Sequence, residues 1–186
     1  PHAPSQVYRH YTCHLINESA GGCRLLWKND LTTKTMVGML VGIRRNADDD
    51  AGNWRIGVVR WMKNTRDDAL VLGVELLAPA AEAIGVRKIV NKRQTGDNMR
   101  SLLLPELRTV NLPETLITPS LYQVGDELCI DVENRRSRVR LTKVVESTGS
   151  FAQYQFAFLG GIADADPIRD DVAEKSREFS SIWGSI

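Results

Sequence analysis

Short β-forming runs, cut again and again by glycine, proline and polar turns, fill residues 7–159 of this 186-residue chain. They constrain it to an all-β fold built from antiparallel hairpins. Val7 to Ile16 predicts a strand, Gly21-Gly22 a turn, and Cys23 to Trp27 the returning strand. Met36 to Arg44 and Asn53 to Met62 flank the polar loop Asn46 to Gly52, and Leu70 to Leu77 stops at Ala78-Pro79. Ala80 to Ile84 reads as a short helical turn. Gly85 to Met99 gathers Arg87, Lys88, Lys92 and Arg93, with Arg100 beside them, and reads as a basic linker. Strands then resume at Ser101 to Leu104, Glu114 to Thr118, Glu127 to Val132, Arg138 to Val145 and Phe151 to Leu159. Pro105, Pro113 and Pro119 mark edges and turns between them.

The tail changes period. Asp166 suits a helix cap with Pro167 at the first helical position. Ile168, Val172, Phe179, Ile182 and Trp183 recur on one face, so residues 161–186 predict an amphipathic α-helix.

The two β-rich halves echo each other. "MVGMLVGI", "WRIGVVRWMK" and "LVLGVELL" are followed later by "YQVGDELCI", "SRVRLTKVVE" and "AQYQFAFL", with Gly38 lining up with Gly125. Each copy runs Val-Gly, apolar strand, charged hairpin, long strand, hairpin, apolar strand. That order predicts two small antiparallel barrels in tandem: 1–84, then the linker 85–99, then 100–160, with the helix 161–186 behind them.

Composition narrows the function. Lys and Arg total 24 against 23 Asp and Glu, a net charge of +1, so bulk charge argues against coating a nucleic-acid polymer or a membrane surface. An aromatic share of 6% argues against a single-strand RNA platform. No run approaches the roughly 20 apolar residues of a membrane span. Pro1-His2-Ala3-Pro4-Ser5 lacks the apolar core of a signal peptide and reads as an excerpt of a longer protein. The odd set Cys13, Cys23 and Cys129 fits reduced, buried thiols in a cytoplasmic protein. On an extended strand His10 and His14 share a face while Cys13 points the other way, against a common metal. No nucleophile–base spacing and no phosphate-cradling glycine loop stands out, so neither catalysis nor a cofactor is expected.

The polar chemistry gathers in "CHLINESAGGCRLLW". Within it Asn17-x-Ser19-x-x-Gly22 brings an amide, a hydroxyl and bare backbone to one strand end. Such a set can read a purine edge and leave room for phosphate. The same residues also fit an Asx-type turn, with Asn17 and Ser19 bonded to local backbone and the glycines at positive φ.

This motif, followed in order by "GGCRLLW", "VGMLVGI", "IGVVRW" and "LGVELL", resembles the PilZ family over about Tyr8 to Leu77. Leu76 departs from it, standing where an aromatic is usual. The second copy is similar to a degenerate relative without the hexamer. The resemblance implies PilZ-like β-barrels and cyclic di-GMP as the ligand. Asn17 and Ser19 would hydrogen-bond a guanine or ribose, and Gly22 would allow close approach. Arg9, Arg24 and Trp61 are the helpers it suggests, Trp61 by stacking on a base; Trp27 and Trp54 are assigned to the core. The family's other half-site is Arg-x-x-x-Arg ahead of the Asn, and Arg9 is the single arginine before Asn17. Arg136-x-x-x-Arg140 matches that pattern literally but reads as a solvated hairpin of the second copy. The function implied is a bacterial, cytoplasmic cyclic di-GMP receptor or effector that relays binding to a protein partner or neighbouring domain. The alternative is a degenerate PilZ-like adaptor that binds no nucleotide and works through protein contacts.

Overall fold

A computed structural model describes residues 11–28, 35–45, 54–67, 69–132 and 135–161. All its regular structure is β apart from one short 3-10 helix, Arg108–Val110. The chain divides into two units, Pro1–Pro79 and Ala80–Ile186. The amphipathic helix expected over 161–186 lies, past Gly161, outside the described residues.

The first unit is a five-stranded antiparallel sheet. Its strands are β1 (His14–Ser19), β2 (Gly22–Trp27), β3 (Leu40–Ile43), β4 (Arg55–Asn64) and β5 (Leu70–Ala78), in the order β1-β2-β5-β4-β3. The expected barrel is, among the described residues, this sheet with β1 and β3 at its margins. One face packs Cys23, Trp27, Val59, Leu72 and Val74 into a core, with Leu25, Val41 and Met62 against it. Trp27 is there as expected, 8% exposed. Trp54 is half-buried, with the Arg44 guanidinium 4.9 Å from its ring centre.

The second unit comprises β6 (Glu82–Val90), β7 (Arg93–Leu104), β8 (Thr115–Thr118), β9 (Glu127–Val132), β10 (Arg135–Ser147) and β11 (Ala152–Gly161). They close into a barrel in the order β10-β11-β8-β7-β6-β9. Inward residues of all six strands fill it: Ile84, Val86, Leu103, Leu116, Leu128, Ile130, Val139, Leu141, Ala152 and Tyr154. A buried hydrogen bond from the Gln153 amide to the Thr115 hydroxyl, 2.9 Å, ties β11 to β8.

The basic linker expected at 85–99 is corrected here, as is the helical turn at 80–84. These residues form most of the hairpin β6–β7, paired from Glu82↔Leu103 to Val90↔Arg93 around the turn Asn91-Lys92. Both turn residues have positive φ, 51° and 64°, as tight two-residue hairpin turns require. The charges sit outward while Ile84 and Val86 point into the core. A register shift between Val86 and Lys88 breaks the alternation, which is why the sequence hides the strand.

The internal echo is topological. β1-β2-β5-β4-β3 in the first unit corresponds to β7-β8-β11-β10-β9 in the second, and β6 is the added strand that joins β9 to β7. Local geometry repeats as well. Gly38 (φ 87°) donates its N–H to the Val59 carbonyl at 2.8 Å, and Val59 donates to Met39 at 3.0 Å. Gly125 (φ 94°) donates to Leu141 at 2.8 Å, and Leu141 donates to Asp126 at 3.0 Å. Even the irregularities match: β4 shifts register between Val59 and Trp61, and β10 between Leu141 and Lys143.

A Cβ added to Gly125 would meet nothing within 4 Å, so its substitution is opposed by backbone conformation alone. We expect Gly125→Ala to lower unfolding stability by about 1–2 kcal/mol in denaturant titrations. Gly149→Ala, equally open and not at positive φ, is expected to be close to neutral.

Candidate functional site

The hairpin of β1 and β2 turns through Ala20-Gly21, with Ser19 opposite Gly22. Its register is shifted between Leu15 and Asn17, leaving Ile16 as the extra residue of a bulge. The bulge decides which way the motif faces. Without it Asn17 would stand opposite Cys23 and point into the core; with it, Glu18 is opposite Cys23, and Asn17 is opposite Arg24. Asn17 and Ser19 are accordingly exposed.

β4 makes the same correction on the far side of the site. Arg60 is the extra residue between Val59↔Val74 and Trp61↔Gly73, and it brings Trp61 out to the exposed face. Arg24 is also opposite Gly73. Four neighbouring strands therefore present one row: Asn17, Arg24, Gly73, Trp61. These residues line a pocket of about 420 Å³ with Ser19, Gly22, Arg60 and Glu75. The Arg24 guanidinium carbon is 5.5 Å from the Trp61 ring centre, and Trp61 is 40% exposed. Arg60 pairs with Glu75 at 2.6 Å on the rim.

Five of the six residues singled out from the sequence thus line one pocket: Asn17, Ser19, Gly22, Arg24 and Trp61. Arg9 and His10 lie outside the described residues. Among the described residues no His, Cys, Asp and Glu cluster has metal-binding geometry. The Asn17 carboxamide makes no side-chain hydrogen bond with another described residue, unlike the amide of an Asx turn. Ser19 does bond locally, its hydroxyl donating to the Gly22 carbonyl at 3.3 Å. Neither Gly21 nor Gly22 is at positive φ. A Cβ on Gly22 would fall 2.4 Å from the Val74 carbonyl oxygen, so glycine there answers to the approach of β5.

Sequence reasoning gave no role to Gly73, Arg60 and Glu75, although they lie within "LGVELL" and "IGVVRW", and it missed Glu18. Glu18 sits between Asn17 and Ser19 and faces the core side, where it is bonded by both Arg55 and Arg45, the latter at 2.5 Å. Arg55 opens β4, and Arg45 follows β3. In a flat sheet β1 and β3 would stand about 19 Å apart, so these ion pairs require a sheet curled until its margins approach. The hydrogen bonds from Arg55 and then Arg45 hold the Glu18 carboxyl below its ordinary range, against the opposing pull of desolvation. Burial pushes the neighbouring Cys23 thiol up, with Arg55 acting in the other direction.

The corresponding row of the second unit is Leu104, Thr115, Gln155, Lys143. It holds no glycine and no aromatic ring. The loop between β7 and β8 carries the 3-10 helix in place of a tight polar hairpin. Arg136 and Arg140, expected in a hairpin, lie within β10, where Arg140 pairs with Glu127 at 2.6 Å.

Comparison with known proteins gives this architecture a family. Residues 2–83 match the model described as "Cyclic-di-GMP receptor FimW, middle PilZ domain", and residues 84–159 match "FimW C-terminal beta-barrel domain". Residues 2–83 therefore belong to the PilZ family, and residues 84–159 form a FimW-type C-terminal barrel. It is 31% identical to the cyclic-di-GMP receptor FimW of Pseudomonas aeruginosa over 188 residues, which is 98% of this chain and 30% of that relative. The chain therefore spans less than a third of that relative's length. No solved structure matches it.

A carboxylate whose folded pKa is depressed stabilises the fold above its unfolded value, and that stabilisation is lost as pH falls through the folded value. Glu18→Gln is therefore expected to lower the melting temperature at pH 7. The gap to the parent should begin to narrow as the pH falls below about 4, where the unfolded-state carboxyl protonates first, and close once the pH has fallen through the lowered folded value. Parallel thermal melts between neutral and acid pH check both the sign and the window.

Proposed function

We propose that this chain is a bacterial, cytoplasmic cyclic di-GMP receptor module that binds its ligand in the pocket of the first unit. The observation that carries the reading is the single row of Asn17, Arg24, Gly73 and Trp61 across four strands. The Asn17 carboxamide offers one acceptor and two donors to the edge of a guanine. The Ser19 hydroxyl adds a second polar contact to base or ribose. The Arg24 guanidinium supplies positive charge for a phosphate, and Trp61 supplies a flat apolar surface for a purine. Gly22 keeps the hairpin close to β5 and so holds Asn17 and Ser19 in place. Arg9, in the segment leading into β1, adds a further guanidinium to the phosphates. The module is not an enzyme: its ligand is a signal, and binding shifts the balance between arrangements of the chain that a protein partner or neighbouring domain senses. The second barrel and the C-terminal segment carry that contact.

One observation favours the adaptor reading instead. Ser19 already has a local acceptor, and Gly22 already has a packing role, so part of the motif is accounted for without a ligand. Calorimetric titration with cyclic di-GMP decides between the two. Micromolar or tighter binding is expected for the parent chain. Asn17→Ala and Ser19→Ala together should weaken it by about tenfold to a hundredfold or more. Binding unchanged in the double variant would reject this site, and no binding by the parent would leave the adaptor.

A further inference from the structure

Gly73 occupies a strand interior, where glycine is unfavourable relative to alanine and calls for a local reason. Backbone conformation is not that reason, because Gly73 is not among the glycines at positive φ. The reason is a neighbour. A Cβ on Gly73 would fall 2.1 Å from both Cε2 and Nε1 of Trp61 and 2.7 Å from Cζ2. The indole occupies the space that any side chain at Gly73 would need. Gly73 also stands directly between Arg24 on β2 and Trp61 on β4, with both as register partners. With adjacent strands about 4.8 Å apart, the missing side chain opens a gap one residue wide. Trp61 leans into that gap toward Arg24, reaching 5.5 Å from ring centre to guanidinium, while 40% of it remains in solvent.

We propose that Gly73 is a positioning residue that holds Trp61 across β5, and that Arg24 and Trp61 form a stacking platform separate in its role from Asn17. The inference rests on the ligand reading above and divides its labour. Stacking on an indole or a guanidinium is tolerant of base identity, since every base has a π-face. The carboxamide of Asn17, by contrast, offers edge chemistry that tells guanine from adenine. Gly73 and Trp61 therefore govern affinity for any cyclic dinucleotide, and Asn17 governs the preference among them. The corresponding row of the second unit has Gln155 in the glycine's place and Lys143 in the ring's, so it builds no such platform.

The test is a double-mutant cycle on the whole chain, read with cyclic di-GMP and cyclic di-AMP. Gly73→Ala and Trp61→Ala should each weaken binding of cyclic di-GMP by about tenfold to a hundredfold. Each should leave the ratio between the two ligands unchanged, while Asn17→Ala should collapse that ratio. Because Gly73 acts through the ring, Gly73→Ala added to Trp61→Ala should cost nothing more. The fluorine resonance of 5-fluorotryptophan at position 61, assigned by its absence in Trp61→Phe, should move in Gly73→Ala. If Gly73→Ala does not fold, Trp61→Ala, which changes an exposed side chain and leaves the glycine in place, still tests the division of labour. Parent-like affinity in both variants, with binding lost in Asn17→Ala/Ser19→Ala, would overturn the platform and leave the ligand reading standing. Additive losses from Gly73 and Trp61 would overturn the positioning role. Absence of binding by the parent would overturn both readings.

Discussion

Side chains on a strand alternate between faces, so Asn17 and Trp61 can share a face only because β1 and β4 each carry one residue too many. Ile16 and Arg60 are those residues. Remove either irregularity in thought, and the polar end of β1 or the indole of β4 turns into the core. The row from Asn17 to Trp61 is therefore a product of two local insertions acting on opposite sides of the same central pair, β2 and β5. What lies between them is equally specific: Arg24, which is long and charged, and Gly73, which has no side chain at all.

The other face of the same strands must hold still for that row to keep its spacing. Val59, Leu72 and Val74 provide the apolar contact, and Glu18 provides the polar tie. Its neighbours in sequence, Asn17 and Ser19, face the pocket, while Glu18 reaches Arg55 and Arg45 on the far side of the sheet. One three-residue stretch thus builds the site and fastens the curled sheet that carries it. Charge-assisted hydrogen bonds to two guanidiniums are stronger than neutral ones, and the lowered pKa of Glu18 reflects that they favour its charged form.

The second unit shows which of these devices belong to the fold and which to the site. It keeps the Gly-led turn, the strand order and the bulge on the long strand, at Thr142 in place of Arg60. Its paired stretch of β7 and β8, Leu102↔Ile117 to Leu104↔Thr115, runs without a shift, and the polar hairpin, the strand glycine and the indole are gone. Its barrel is closed instead by β6, which pairs with both β7 and β9. The bulge on the long strand is part of how this topology curls, whereas the bulge at Ile16 appears only where Asn17 has to be turned outward.

Much of this was legible beforehand because it depends on short-range rules. Period-two apolar runs between turn formers define strands, repeated order exposes the duplicated topology, and Asn17, Ser19 and Gly22 form a polar motif at one strand end, while Arg24 and Trp61 come from the family resemblance. The strands β6 and β7 were obscured because outward arginines and a bulge hide their alternation, so charge was read as solvation. Gly22 lines the pocket, and its closest packing constraint, which the sequence does not show, is the Val74 carbonyl. The roles of Gly73 and Glu18 are not legible for a different reason: each acts on a residue far away in the chain, Trp61 on the neighbouring strand or Arg45 and Arg55 across the sheet. Sequence by itself determined the strands, the duplication and the polar motif, since those follow from local pattern. Register, bulge direction and cross-strand neighbours decide whether the motif becomes a pocket, and pairing between distant segments sets them only in the folded state.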